Sequence, residues 1–196
     1  FIHHNFIDNG LFPEAGGIRL RASKNIEVLE NTIHDGREGI FLTTSANNLV
    51  SNNVIHHNNY GVKLTVSSDN TISSNHLTEN HEGIYLSKST QNKINNNIIT
   101  DNELGISLMS SSSNNFMDNN LINDMEISLF DSSADNVFLS DSYDSEKEDV
   151  EASSKLIRKW RFNLKVVKSN GAVISDAHVS LSDSLSHLQA SFLTKN

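Results

Sequence analysis

The tetrad Gly-Ile-x-Leu, with one Val for Ile, returns every 22 residues along this chain. It stands at Gly17-Ile18-Arg19-Leu20, Gly39-Ile40-Phe41-Leu42, Gly61-Val62-Lys63-Leu64, Gly83-Ile84-Tyr85-Leu86 and Gly105-Ile106-Ser107-Leu108. A fixed period of this length means stacked copies of one unit, each burying its apolar face on its neighbours. Other columns keep the same step. Ser23, Ser45, Ser67, Ser89, Ser111 and Ser133 form one, and Val28, Val50, Ile72, Ile94, Phe116 and Phe138 form an apolar one. Asparagine fills two more: Asn31, Asn53, Asn75, Asn97 and Asn119, then Asn48, Asn70, Asn92, Asn114 and Asn136.

Within a rung the apolar residues alternate. Ile40 and Leu42 point one way and Phe41 the other, and Val50 and Ile55 continue the inward set. Period-two alternation over short stretches reads as strands. Gly, Asn and Ser between them favour turns. Each rung therefore holds about three short strands, repeated in one order. Such strands pair in parallel with their copies a rung away, which gives a parallel β-helix, right-handed by the rule for parallel connections. The expected fold is all-β, with about six coils of 22 residues. Stacked asparagine amides bond along the coil and satisfy backbone groups at the bends, and Asn also tolerates the left-handed backbone region.

Two irregularities stand out. Four extra residues precede Gly17, predicting a bulged loop around Gly10-Leu11-Phe12-Pro13. Near the end, Glu126-Ile127-Ser128-Leu129 lacks the glycine and arrives one residue early, as a last coil would. The chain opens inside a repeat, so it is read as continuing at both ends. It has no Cys, which excludes disulfides and thiolate metal sites. No segment is apolar enough to span a membrane. The formal net charge is −9, and residues 1–140 hold 16 acids against 7 Lys and Arg. That excess opposes nucleic acid as a partner.

The repeats stop near Ser140. Residues 1–140 are read as the β-helix, 141–160 as an acidic cap or linker, and 161–196 as an incomplete β-sandwich of Ig-like type. The last reading rests on alternation through Phe162, Leu164 and Val166, on the turn pair Asn170-Gly171, and on Ala177, Val179 and Leu181.

The Asn-x-Ile and Gly-Ile-x-Leu elements, as in Asn92-Lys93-Ile94 through Asn97-Ile98-Ile99 to Gly105-Ile106-Ser107-Leu108, resemble those of the NosD-like β-helix repeat family. That family is also grouped with carbohydrate-binding and sugar-hydrolase β-helices. Residues 162–181 look like the start of a carboxypeptidase-regulatory-like or Ig-like module. The resemblance implies an extracellular, cell-surface or periplasmic location. It implies copper as a candidate ligand, but supplies no metal motif at defined positions.

Two outward columns are candidate sites. Arg19, Phe41, Lys63 and Tyr85, followed by Ser107, form a face suited to a polysaccharide or cell-surface glycan. Aromatic rings pack on sugar rings, and Arg or Lys meets carboxylates. His34 and His56 share a second column, with His76 one rung on. Imidazoles on one sheet are candidate ligands for a divalent metal such as Cu or Zn, with Asp35, His57, Glu79 and Asp101 as the next column. Otherwise no cofactor is called for. Acids such as Glu38 and Glu82, just before glycines, are expected in loops and solvated. The sequence thus favours a non-catalytic carbohydrate-binding or structural scaffold. The alternatives are part of a carbohydrate-active enzyme of lyase, hydrolase or epimerase type, and a NosD-like periplasmic copper-handling protein.

Overall fold

The computed structural model describes residues 1–8, 15–161, 166–174, 177–182 and 188–193. The bulged loop expected around Gly10–Pro13 lies outside the described residues. The chain divides into two units, Phe1–Trp160 and Arg161–Asn196.

Among the described residues, the first unit is a parallel β-helix with three sheets of eight, six and seven strands. One rung illustrates the rest: Glu38–Thr43 lies in the seven-stranded sheet, Leu49–Ser51 in the eight-stranded and Val54–His56 in the six-stranded. Every strand pair in the unit is parallel, and most partners are 22 residues apart, as in Ile40 with Val62 and Val50 with Ile72. The early arrival of Glu126 is real: Leu104 pairs with Met125 and Ile106 with Ile127, a step of 21. Expected inward residues fill the core, with Ile40, Leu42, Val50 and Ile55 fully buried and most of their copies likewise. Phe116 and Phe138 close its far end with rings stacked at 4.3 Å. Residues 141–160 carry two further strands, Glu148–Val150 and Leu156–Lys159, which pair in parallel with the coil's last strands.

The glycine column answers a packing demand. A Cβ on Gly39 would lie 2.4 Å from Ile55 Cγ2 and 2.7 Å from the carbonyl oxygen of Gly61. No side chain fits there, because successive rungs and the inward Ile compete for the same space. Gly39 sits inside a strand, so its role differs from the turn role its type suggests.

The asparagine columns are ladders. Asn53 Oδ1 accepts from the backbone N–H and side-chain amide of Asn31, while its own amide donates to Asn75 Oδ1, Val28 O and Ser51 O. These asparagines are buried, and the ladder satisfies groups that burial would otherwise leave costly. Left-handed geometry belongs to the residue before each ladder member: Asn52 has φ 56° and Asn47 has φ 55°. The ladder amide holds the bend from inside while its predecessor turns the chain.

A third asparagine ladder, not singled out in the sequence, runs Asn58, Asn80, Asn102 and Asn123. It ends on Glu126, whose Oε2 accepts from Asn123 N–H and Nδ2. The Asn31 ladder ends likewise on Asp141, whose Oδ1 accepts from Asn119 N–H and Nδ2. Burial of Asp141 pushes its carboxyl up to about 6, and its other oxygen is buried without a hydrogen-bond partner.

In the second unit, Asn170-Gly171 forms the expected turn. Gly171 has φ 83°, Val167 bridges Val173 in antiparallel, and Gly171 N–H donates to Lys168 O. Strands His178–Ser182 and Leu188–Leu193 pair in antiparallel. Phe162 and Leu164 of the expected β-sandwich lie outside the described residues.

Candidate functional site

The seven-stranded sheet presents the first candidate face. Arg19, Phe41, Lys63, Tyr85 and Ser107 occupy one register column on successive rungs. A second outward column, Glu38, Tyr60 and Glu82, runs beside it. The two interlock around Lys63. Its Nζ lies 3.9 Å from the centre of the Tyr60 ring, 5.5 Å from Phe41 and 5.6 Å from Tyr85. Such contacts hold a cation without neutralising it. Arg19 lies 5.2 Å over Phe41.

Glu38 and Glu82 are strand residues, contrary to the expectation of solvated loop acids. The glycine itself faces the core, where a Cβ would meet Ile55 or Ile99, so the alternation breaks there and the acid before it lies on the outer face. Glu38 is buried and faces three cations: Arg19 at 3.1 Å, Arg37 at 3.7 Å and Lys63 at 3.8 Å. Burial pushes Glu82 up from the usual carboxylate range, partly opposed by a hydrogen bond with Ser107. Its Oε2 is buried without a partner. Desolvation holds Lys63 below the usual ammonium range. Arg19, Arg37 and Lys63 against Glu38 and Glu82 give this face a formal excess of one positive charge on an acidic coil. Tyr60 escaped attention, and the two acids were expected to be solvated, because each stands before a glycine, where a turn was expected.

The histidine face lies on the outside of the six-stranded sheet. Asp8, His34 and His56 share a register column on successive rungs. The rings of His34 and His56 stack at 4.8 Å, 6° from parallel. The bend residues Asp35, His57 and Glu79 follow, each with positive φ. Two clusters result: His56, His57 and Glu79, and Asp8, His34 and Asp35, the ligand atoms in each within 4.8 Å of one another. His56 Nδ1 meets His57 Nδ1 at 2.7 Å, and His57 Nε2 lies 3.2 Å from Glu79. His34 Nδ1 lies 2.7 Å from Asp35 and 3.8 Å from Asp8.

His76 is placed differently. It pairs with Val54, two residues along the strand from the His56 position, which pairs with Thr78 instead. It is exposed on the same sheet but outside both clusters. Asp101 also has positive φ but joins neither.

Imidazole nitrogens with carboxylate oxygens suit copper or zinc. Two ligands at right angles around a metal with bonds of about 2.0 Å stand about 2.8 Å apart. The His56–His57 nitrogen pair already has that spacing. Burial, then the neighbouring imidazoles of His34 and His57, holds His56 below its ordinary range, which favours the neutral, ligating form. The hydrogen bond from His34 lowers Asp35 and keeps it ionised. A related dyad, His3 and His4, has its Nδ1 atoms 2.7 Å apart and Glu30 at 2.5 Å from His4 Nε2.

A family model described as "Periplasmic copper-binding protein (NosD)" matches residues 2–147. No curated protein matches the chain in sequence. Among solved structures the chain is similar to a double mutant of the periplasmic alginate epimerase AlgG, with 16% identity, TM-score 0.57 and coverage of 76% of this chain and 46% of that one. It is also similar to DFA-IIIase from Arthrobacter chlorophenolicus A6 in complex with GF2, with 10% identity, TM-score 0.53 and coverage of 82% and 53%. XylC in complex with xylose matches with 13% identity, TM-score 0.53 and coverage of 89% and 36%. These likenesses concern the fold, and the chain spans about half or less of each structure's length. Among the described residues no helix is long and apolar enough to cross a membrane.

Proposed function

The chain belongs to the NosD family, described as periplasmic copper-binding, and from that premise we propose that it is an extracytoplasmic β-helix that holds copper on its histidine face. The observation that carries the reading is the His56–His57 pair, two Nδ1 atoms at 2.7 Å. Glu79 stands behind His57 Nε2 at 3.2 Å. A carboxylate behind an imidazole fixes which nitrogen carries the proton and leaves the other as the ligand. The coil supplies rigidity, because both residues sit where the Asn58 ladder amide locks the bend. His34, stacked on His56, belongs to the same face, and His76 lies two residues out of their column and outside the clusters.

The test is calorimetric titration of Cu²⁺ into the protein and into a His56→Thr/His57→Asn variant. Thr is what the column carries at Thr78, and Asn suits the left-handed bend, so the variant keeps the fold. Affinity falling at least 100-fold in the variant supports the reading. Unchanged affinity refutes it.

A second reading concerns the other face. The Lys63 cluster combines an aromatic-lined cation with a locally positive patch, the combination that packs on sugar rings and pairs with their carboxylates. On this reading Arg19, Phe41, Lys63 and Tyr85 bind a polysaccharide or cell-surface glycan without chemistry. Solved structures of the same fold named as an alginate epimerase and as a complex with xylose support it. A glycan array of acidic and neutral polysaccharides tests it, with Phe41→Ala/Tyr85→Ala as control. Loss of binding in the control is expected, and turnover of the bound glycan would favour the enzyme alternative. No binding to any glycan refutes the reading.

A further inference from the structure

The histidine face carries more donors than one ion needs, and they are arranged as a lattice. Asp8, His34 and His56 lie on three successive rungs of one strand column. Asp35, His57 and Glu79 lie on successive rungs of the adjoining bend column. Two successive rungs therefore offer a strand donor followed directly by a bend donor: His34-Asp35, then His56-His57.

We infer that this face holds two divalent metal ions side by side, one rung apart. The inference rests on the copper reading. The first ion takes the Nδ1 atoms of His56 and His57, with Glu79 behind or beside it. The second takes His34 Nδ1 with Asp35 and Asp8, which approach that same nitrogen at 2.7 and 3.8 Å. Near-parallel rings at 4.8 Å make His34 and His56 the adjoining walls of the two sites. The ions then stand roughly 5 Å apart, the strand spacing of a sheet.

The two sites differ in chemistry. The first is rich in nitrogen and takes copper first. The second offers one nitrogen and two carboxylates. Their negative charge offsets the repulsion between neighbouring dications.

The test is a Cu²⁺ titration of the full chain, followed by calorimetry and electron paramagnetic resonance. Two equivalents are expected in two steps. At one equivalent the spectrum is that of isolated Cu²⁺, and at two it broadens by dipolar coupling. His57→Asn weakens the first step at least 10-fold and leaves the second. Asp35→Asn, which keeps the left-handed bend, weakens the second at least 10-fold and leaves the first. A single equivalent, or two without dipolar broadening, overturns the pair while the copper reading stands. A second step that survives intact in Asp8→Asn/Asp35→Asn also overturns it. Binding that is the same in His56→Thr/His57→Asn overturns the copper reading itself.

Discussion

Replacing Asn75 with Ala removes one step from the middle of a ladder. Its Oδ1 accepts from the backbone N–H and the side-chain amide of Asn53, at 3.0 and 2.9 Å. Its Nδ2 donates to Val50 O and to Asn97 Oδ1, both at 3.0 Å. Asn75 is 1% exposed and Asn53 fully buried, so water cannot take over. Asn53 N–H is left without its acceptor, and the Val50 carbonyl loses a donor. A buried group left unsatisfied costs about 1–3 kcal/mol, and the two lost amide–amide bonds add to that. The expected loss is roughly 3–6 kcal/mol for Asn75→Ala. Asn5, exposed at the head of the same ladder, serves as control, since Asn5→Ala costs about 1 kcal/mol when water replaces the lost bonds. Equilibrium unfolding in urea measures both, and an unchanged slope keeps the comparison valid. Long repeat arrays can lose two-state behaviour, so coincidence of circular dichroism and fluorescence transitions is checked first. A loss below about 1 kcal/mol for Asn75→Ala, equal to the Asn5 control, would refute the claim that the ladders hold the coil.

Three further outcomes follow from the same geometry. Gly61→Ala sets a Cβ 2.6 Å from Gly83 O and 2.8 Å from Leu77 Cδ2; a loss of about 1–3 kcal/mol by urea unfolding is expected from overpacking, and full stability would show that the rungs can separate. Val66, exposed with φ 50°, is a β-branched residue in left-handed geometry, so Val66→Asn should raise stability by about 1 kcal/mol, and a loss contradicts this. Asp141 has its carboxyl raised to about 6 in the fold, against an ordinary value near 4 when unfolded. The protonated form is therefore the one the fold favours: its contribution is full below about pH 4, is lost as pH rises to about 6, and stays lost above. Asp141→Asn should then stabilise by roughly 1–2 kcal/mol at pH 7.5, after discount for partial exposure, and by little at pH 4; equal effects at both values would count against the cap being protonated.

Much of the coil was legible because the 22-residue step fixes both rung and phase. Ile40, Val50 and Ile55 fell inward as their alternation required, and the early Glu126 marked a shortened rung. The roles of individual residues were harder to read. Gly39 looked like a turn residue, but three-dimensional crowding from Ile55 and Gly61 requires it within a strand. The Asn58 ladder keeps the period in plain sight, yet it starts only at the third rung and ends on a Glu, so it is shorter than its companions. Glu38 and Glu82 were misread for the same reason as the glycines beside them. The histidine face needed register as well as column. His34 and His56 share a phase, whereas His76 is two residues out of it. Asp8, at the edge of the first rung, is 26 residues from His34 because of the four extra residues before Gly17, so it joins the column only when Asn5-Phe6-Ile7 is aligned with Asn53-Val54-Ile55 across them.

The most direct measurement is anomalous diffraction at the copper edge from crystals of the protein loaded with one equivalent of Cu²⁺. The account predicts a peak between the Nδ1 atoms of His56 and His57, with Glu79 adjoining. A peak elsewhere, at His81 and Glu103 or at the His3–His4 dyad, with none beside His56, would contradict it.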